Sequence, residues 1–374
     1  MSIFKKIRKN KDQLTAILIL LPSLILLAIF VYGFIFQTGY QSLTDWTGVG
    51  EPGNSEFIGL QNYKKLFTGL LDIRFRQSLV NTLFFTLFFI AGCLSLGLLF
   101  AILIDQGIRF EGFFRLIFLY PMSLSFIVTG TVWNWLLNPV GGVNRLPTLF
   151  NKEPWSFKWI ASRTQILQFD WLQLPKYIGI ILLVTLIYLS YRYWKQEKNI
   201  PAIITLVISI ATLIWLLSGG ANKIQILKVS ETHGFNLAMI GIILAAIWQM
   251  AGYMMAMYLA GIRGVPEELR EAARVDGANE LQIYARIIFP MLMPITLSAM
   301  IVLGHISLKI FDLIYVIAGP DNATTDVPGI LMFMTSFRGN QFAKGGAIAI
   351  VMLIMVAVII VPYLVSTLKS EHEL

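Results

Sequence analysis

Apolar runs long enough to cross a lipid bilayer recur along this chain from end to end, and that recurrence limits the fold more than any other feature. About 20 consecutive, mostly apolar residues suffice for a transmembrane helix. Such runs fall near residues 14–36, 79–104, 116–137, 235–260, 291–317 and 347–368, with two shorter ones at 177–189 and 201–217. They predict an all-α, polytopic transmembrane helix bundle of about eight spans. With 56% hydrophobic and 13% charged residues and a mean hydropathy of +0.71, the 374-residue chain is too apolar for a soluble globule. Its net charge of +8 therefore points to anionic lipid and cytoplasmic loops before nucleic acid.

Other chemistries lack their residues. One cysteine, Cys93, sits inside an apolar run and excludes an intrachain disulfide or a cysteine-based metal site. Three histidines form no HExxH or clustered arrangement, so no metal site is expected. No GxxxxGK[ST] phosphate loop occurs, so if ATP drives this protein another chain binds it.

The first run follows Lys5, Lys6, Arg8, Lys9 and Lys11, a basic end expected to stay in the cytoplasm. A cleaved signal peptide is the competing interpretation, disfavoured by the length of the run. The third run is broken early by Pro121 and carries Thr129, Trp133 and Asn134 near one face; the seventh carries His305, Ser307, Lys309 and Asp312. Polar groups at that depth face other helices or a watery path, and Lys309 and Asp312 are expected to pair, snorkel or line water. The two shorter runs, joined by the basic connector from Tyr191 to Asn199, predict a hairpin of two further spans; a single hairpin buried in an outer domain is the alternative.

The most charged island between spans is GIRGVPEELREAARVDGANELQIYARIIFPMLMP, residues 261–294. Pro266 suits a first helical position, Glu267 and Glu268 suit the positive end of a helix dipole, and Leu269, Ala272 and Ala273 recur at helical spacing. Gly277 ends that helix. Asn279 and Gln282 have capping-box spacing and open a second one, with Leu281, Tyr284 and Ile288 on one side, running to a break at Pro290. An interfacial amphipathic hairpin and a DNA-binding helix-turn-helix are the alternatives.

Glu271-Ala272-Ala273, three residues, Gly277, nine residues, Ile287, one residue, then Phe289-Pro290 resembles the signature loop of the membrane-spanning permease subunits of binding-protein-dependent ABC importers. Asp276-Gly277-Ala278 is similar to the sugar-type branch. Phe289 stands where that family usually has leucine, a change that conserves bulk. Family-like phrases recur at Phe57-Ile58-Gly59-Leu60-Gln61-Asn62-Tyr63, Asn81-Thr82, Asn138 to Asn144, Ile247 to Leu269 and Phe342 to Ala347. The glycine run expected before Pro320 is reduced to Ala318-Gly319.

The resemblance implies a six-helix importer core with an inserted two-helix hairpin. The corresponding division is 1–76 (N-terminus, first span and outer loop), 77–365 (permease core, interrupted at about 163–232, with the coupling loop at 261–290) and 366–374 (tail). It implies a multi-pass protein of the bacterial cell (inner) membrane with both termini cytoplasmic. Its partners would be a second permease subunit, two ATP-binding subunits and an extracytoplasmic solute-binding protein. ATP and Mg would sit on the partners and no cofactor on this chain. Glu271, Ala272, Ala273, Arg274, Asp276, Gly277 and Pro290 would couple to the ATPase, with Ala272 and Ala273 packing into its groove and Arg274 and Asp276 stabilising the turn or pairing across it. Asn81, Trp133, Asn134, Gln249, Tyr253, Ser307, Lys309, Asp312 and Tyr315 are candidates for the solute pathway, because sugars are held by hydrogen bonds and aromatic faces. The chief rival is an ion-coupled secondary carrier relaying through His305, Lys309 and Asp312; a membrane-embedded enzyme and a membrane scaffold are further alternatives.

Overall fold

The computed structural model describes residues 17–372 apart from 49, 51, 52, 54, 225, 226 and 228, and side chains apart also from 359 and 363–372. The basic cluster from Lys5 to Lys11, the first residues of the first span and the end of the tail lie outside the described residues. Fourteen helices are named here: α1 Ile17–Gln41, α2 Gln61–Thr68, α3 Ile73–Asp105, α4 Glu111–Leu119, α5 Phe126–Leu136, α6 Leu174–Lys195, α7 Asn199–Leu217, α8 Met239–Arg263, α9 Glu267–Val275, α10 Glu280–Ile283, α11 Met293–Leu308, α12 Asp312–Ala318, α13 Pro328–Phe333 and α14 Phe342–His372. Two strands, β1 Gln165–Asp170 and β2 Thr232–Asn236, pair antiparallel.

Among the described residues six helices are long and apolar enough to cross a membrane unaided, and two more spans result if each of two bent pairs is counted once. The bent pairs are Glu111–Ser123 with Phe126–Leu136, turning through 99°, and Glu280–Met291 with Met293–Leu308, turning through 64°. The first break lies at Leu124 and Ser125, just past Pro121, where the backbone becomes extended and the Ser125 side chain caps α5. The Leu124 carbonyl there accepts a 2.8 Å hydrogen bond from Gln249 Nε2 on α8. The second lies at Leu292, between Pro290 and Pro294. A third interruption was not foreseen. α11 ends at Leu308 and α12 starts at Asp312, so Lys309 and Asp312 flank a break instead of sharing a helix. Both are exposed and, among the described residues, form no ion pair with each other.

The chain forms two compact units. In the smaller, residues 1–64 and 331–354, Asn62 ties the end of α1 by donating to the carbonyls of Ser42 and Thr44, and Trp46 meets Phe342 at 5.4 Å between ring centroids. α1 presents its apolar side chains outward, Phe36 being 78% exposed, as a helix solvated by lipid does. In the larger unit α3 and α8 lie side by side. At Gly97 a Cβ would collide with the Met254 side chain and backbone, so glycine there lets the two helices approach closely.

The expected extra hairpin is present as α6 and α7, joined through the turn at residues 196–198. Its feet are a surprise. β1 leads into α6 and β2 follows α7, and the pair closes the base as a short ribbon with a bulge between Ile166 and Phe169. Phe235 and Asn236 therefore belong to a strand, and the span expected from residue 235 begins at Met239.

Candidate functional site

The charged island folds as a knob of two short helices at the end of α8. Pro266 stands at the N-cap, one place before the expected position, with Glu267 and Glu268 in the first turn of α9. Gly277 has φ +82°, a conformation that glycine adopts without a Cβ penalty, and nothing lies within 4 Å of where a Cβ would be. α10 opens with a complete capping box: Asn279 Oδ1 accepts from the Gln282 amide and Gln282 Oε1 from the Asn279 amide, both at 2.9 Å.

Arg274 crosses the turn, but not to Asp276. It reaches Glu267 at 3.1 Å and Glu280 at 3.0 Å, joining both helices, and those hydrogen bonds, Glu280 first, raise its pKa further. Asp276 is the C-cap of α9 and is exposed.

The two alanines separate. Ala272 is exposed beside Glu271, whereas Ala273 turns inward with Ala278 against a core of Ala101, Ile104, Met255, Tyr258, Leu259, Ile262, Ile283, Ile288 and Leu292. The expected common face of Leu281, Tyr284 and Ile288 is also corrected. Residues Tyr284–Ile288 adopt a wider, π-type turn, which carries Ile288 into the core while Leu281 stays 79% exposed. Pro290 lies in the single turn Phe289–Met291, and the bend comes two residues after it. The outward surface is thus Glu268, Leu269, Glu271, Ala272, Val275 and Leu281, with Val275 87% exposed.

What holds the knob was not anticipated. Asp105, last residue of α3, accepts at Oδ2 from Arg270 Nη1 (3.0 Å) and from the Tyr284 hydroxyl (2.8 Å). Arg270 Nη2 also donates to the Ile262 carbonyl at 2.7 Å. Arg270 Nε stands 3.8 Å from Glu267, too far for a hydrogen bond. Asp105 and Arg270 are only 7% and 12% exposed at the side chain, so this is a sheltered, charge-assisted joint.

At the opposite end of α3 a second polar cluster is buried. Arg76, fully buried, grips Glu231 through Nε (2.8 Å) and Nη2 (2.5 Å) and donates Nη1 to the carbonyls of Leu66 and Gly69. His233 lies between Glu231 (2.5 Å) and Gln77 (2.8 Å). Burial lowers its pKa, outweighing the opposing pull of Glu231, whose charge Arg76 already meets. Asn81 Oδ1 accepts from Gln77 and Asn236, and Nδ2 donates to the carbonyls of Thr324 and Asp326. Asp326, paired with Arg74 at 2.7 Å, is nevertheless raised in pKa by burial. This clasp binds the ribbon and the 322–326 loop to α3, and Asn81 is fully spent on it. Asn81 is therefore a structural residue here, not a free solute contact.

The remaining pathway candidates do not form one lining. Ser307 is fully buried and bonded to Thr86 and the Gly304 carbonyl. Gln249 is buried at the Leu124 break. Lys309 and Asp312 are exposed at the other break, and Tyr253 is half-buried on α8. Three others lie on neighbouring elements: Asn134 donates to the Ile317 carbonyl on α12 at 2.6 Å, Trp133 meets Trp248 of α8 edge-on at 6.0 Å, and Tyr315 on α12 lies 5.2 Å from Phe311. α5 is thereby joined to both α8 and α12.

These features have counterparts among known proteins. A family model described as "Binding-protein-dependent transport system inner membrane component" matches residues 198–369, which include the knob. A probable ABC transporter permease protein of Pyrococcus horikoshii is 36% identical over 367 residues, covering 98% of this chain and 100% of its own length. The xylose/arabinose import permease protein XacH of Haloferax volcanii is 32% identical over 347 residues, covering 91% and 84%. A solved bacterial ABC transporter involved in the import of the acidic polysaccharide alginate has a chain that superposes with a TM-score of 0.59 at 18% identity, over 96% of this chain and 97% of that one, a likeness of fold.

Proposed function

The chain belongs to the family of inner-membrane components of binding-protein-dependent ABC transport systems, and from that premise we propose that it moves a sugar or sugar-like solute inward by alternating access, driven by ATP hydrolysed on partner subunits. One observation carries the coupling role: the knob turns Glu268, Glu271, Ala272, Val275 and Leu281 outward while its other face is fixed to the bundle by Ala273, Ala278 and the Asp105 joint. A surface so exposed on so well anchored a base is suited to receive a push and pass it on.

The partners are a second permease subunit, two ATP-binding subunits that bind ATP and Mg, one docking on this knob and the other on the second permease, and a solute-binding protein at the clasp end. Glu271 makes the polar contact to the ATPase, Ala272 with Val275 and Leu281 enters its groove, and Gly277 shapes the turn. The knob, both termini and the basic connector between α6 and α7 lie on the cytoplasmic side, in keeping with Arg192, Lys195 and Lys198. Trp133, Asn134 and Tyr315 are the pathway residues whose positions support solute contact, as aromatic faces and an amide near the junction of α5, α8 and α12. Sugars are supported by XacH, whose name gives xylose and arabinose as its solutes.

The test is uptake into proteoliposomes of the complex formed with the co-expressed partner chains, using a panel of labelled saccharides that starts with xylose and arabinose. Uptake requiring internal ATP and the solute-binding protein, and surviving ionophores, is expected. Accumulation by this chain alone, driven by an ion gradient, would establish the secondary carrier instead.

A further inference from the structure

We propose that Asp105 is a positioning residue that makes α3 the transmission rod between the knob and the clasp, an inference that rests on the coupling role of the knob. Several independent observations place the rod. α3 runs for 33 residues without a π or 3-10 interruption, about 50 Å at 1.5 Å per residue. The spans formed by α4 with α5 and by α10 with α11 are bent by 99° and 64°. α3 is the unbroken one of the three, and it carries a side-chain joint at each end.

At one end Asp105 Oδ2 gathers Arg270 from α9 and Tyr284 from the segment after α10, while Arg270 binds the last carbonyls of α8 through Ile262. Both knob helices and the end of α8 are thus tied to one carboxylate. At the other end Arg76, Gln77 and Asn81 hold the β ribbon and the 322–326 loop. Gly97 seats the middle of the rod against α8. A tilt of the knob cannot leave the clasp end undisturbed while those joints hold, because an unbroken helix between them moves as one body.

A local ion pair that merely stabilises the knob would give no such coupling, and the two are separable. The complex assembled with cysteine-free partner subunits is placed in lipid nanodiscs, with a fluorophore on one introduced cysteine: Ala285→Cys at the knob or Arg163→Cys near the clasp. Ala285 and Arg163 are exposed and the native Cys93 is buried, so labelling is confined to the introduced site. ATP with vanadate is the probe. Both labels are expected to respond in the native background. In Asp105→Asn the knob label keeps its response while the clasp label falls to less than a tenth; in Tyr284→Phe, which keeps the ion pair, the clasp response falls by about twofold to threefold.

Full clasp responses in both variants overturn the proposal. If Asp105→Asn fails to assemble, an undiminished clasp response in Tyr284→Phe overturns it alone. A knob label that never responds in the native complex counts against the coupling role itself, a different failure.

Discussion

The knob and the clasp sit at opposite ends of α3 and are built by opposite rules. The knob is closed by partners near in sequence: its cap pairs residues three apart, and Arg274 reaches six and seven residues to Glu280 and Glu267. The clasp is closed across the chain by partners 155 to 252 residues apart, as in Arg76 with Glu231 and Arg74 with Asp326, a reach the knob has just at its Asp105 joint, 165 and 179 residues from Arg270 and Tyr284. The knob turns one face outward and packs the other against the bundle; clasp side chains are mostly buried and bonded to one another. One end is shaped to be held by another molecule and the other to hold itself, so damage at the first should cost function and at the second stability.

The sharpest way to break that contrast is at the clasp. Arg76→Ala leaves Glu231 buried without its counter-charge and is expected to cost about 3–5 kcal/mol, read as a lowered unfolding midpoint of the purified protein. Asn81→Ala strands two buried donors and two carbonyls and should cost about 1–3 kcal/mol in the same assay. At the knob, Gly277→Val meets no steric neighbour, so only the backbone penalty of about 1–2 kcal/mol applies. The protein should still insert, yet ATP-driven uptake should be lost; full uptake would remove Gly277 from the coupling role.

Acid should loosen the clasp by less. Burial depresses the folded-state pKa of His233, so the unfolded chain takes up its proton first as pH falls below about 6.5. The stability contributed by neutral His233 is whole above that value and is lost as pH falls through the folded pKa. A midpoint that declines with acid in the native protein and less in His233→Gln is the expected outcome. The smallest effect on stability, under about 0.5 kcal/mol, belongs to Val275→Asp, an exposed site with no partner to lose. There the contrast is clearest if co-purification of the ATPase subunits is abolished while the midpoint stays in place.

The same difference explains what could be read from the chain. Apolar run length located the spans because a bilayer imposes a minimum on each. The capping box of Asn279 and Gln282 was legible because both partners lie within four residues. Asp105 was invisible as an anchor: it looked like the polar end of a span, and nothing local indicates that Arg270 and Tyr284 return to it. The bonds of Asn81 were invisible for the same reason, since three of its four partners come from two distant segments, and together with Gln77 they occupy all of its hydrogen-bonding positions. The ribbon was missed because Thr232 to Asn236 lacks strand alternation and pairs only by closing the base of the hairpin. Lys309 and Asp312 were placed on one helix by their spacing, and the break at residues 309–311 carries no proline to announce it.

The broken spans have one more consequence. A peptide carbonyl released from a helix inside hydrocarbon would normally demand water or force the helix to re-form. Here the Leu124 carbonyl already rests on the Gln249 amide, and the Asn134 amide holds the Ile317 carbonyl near the end of α12. The elbow at Leu124 is therefore upholstered in advance: it can flex about a satisfied joint without baring a dry dipole to the lipid tails.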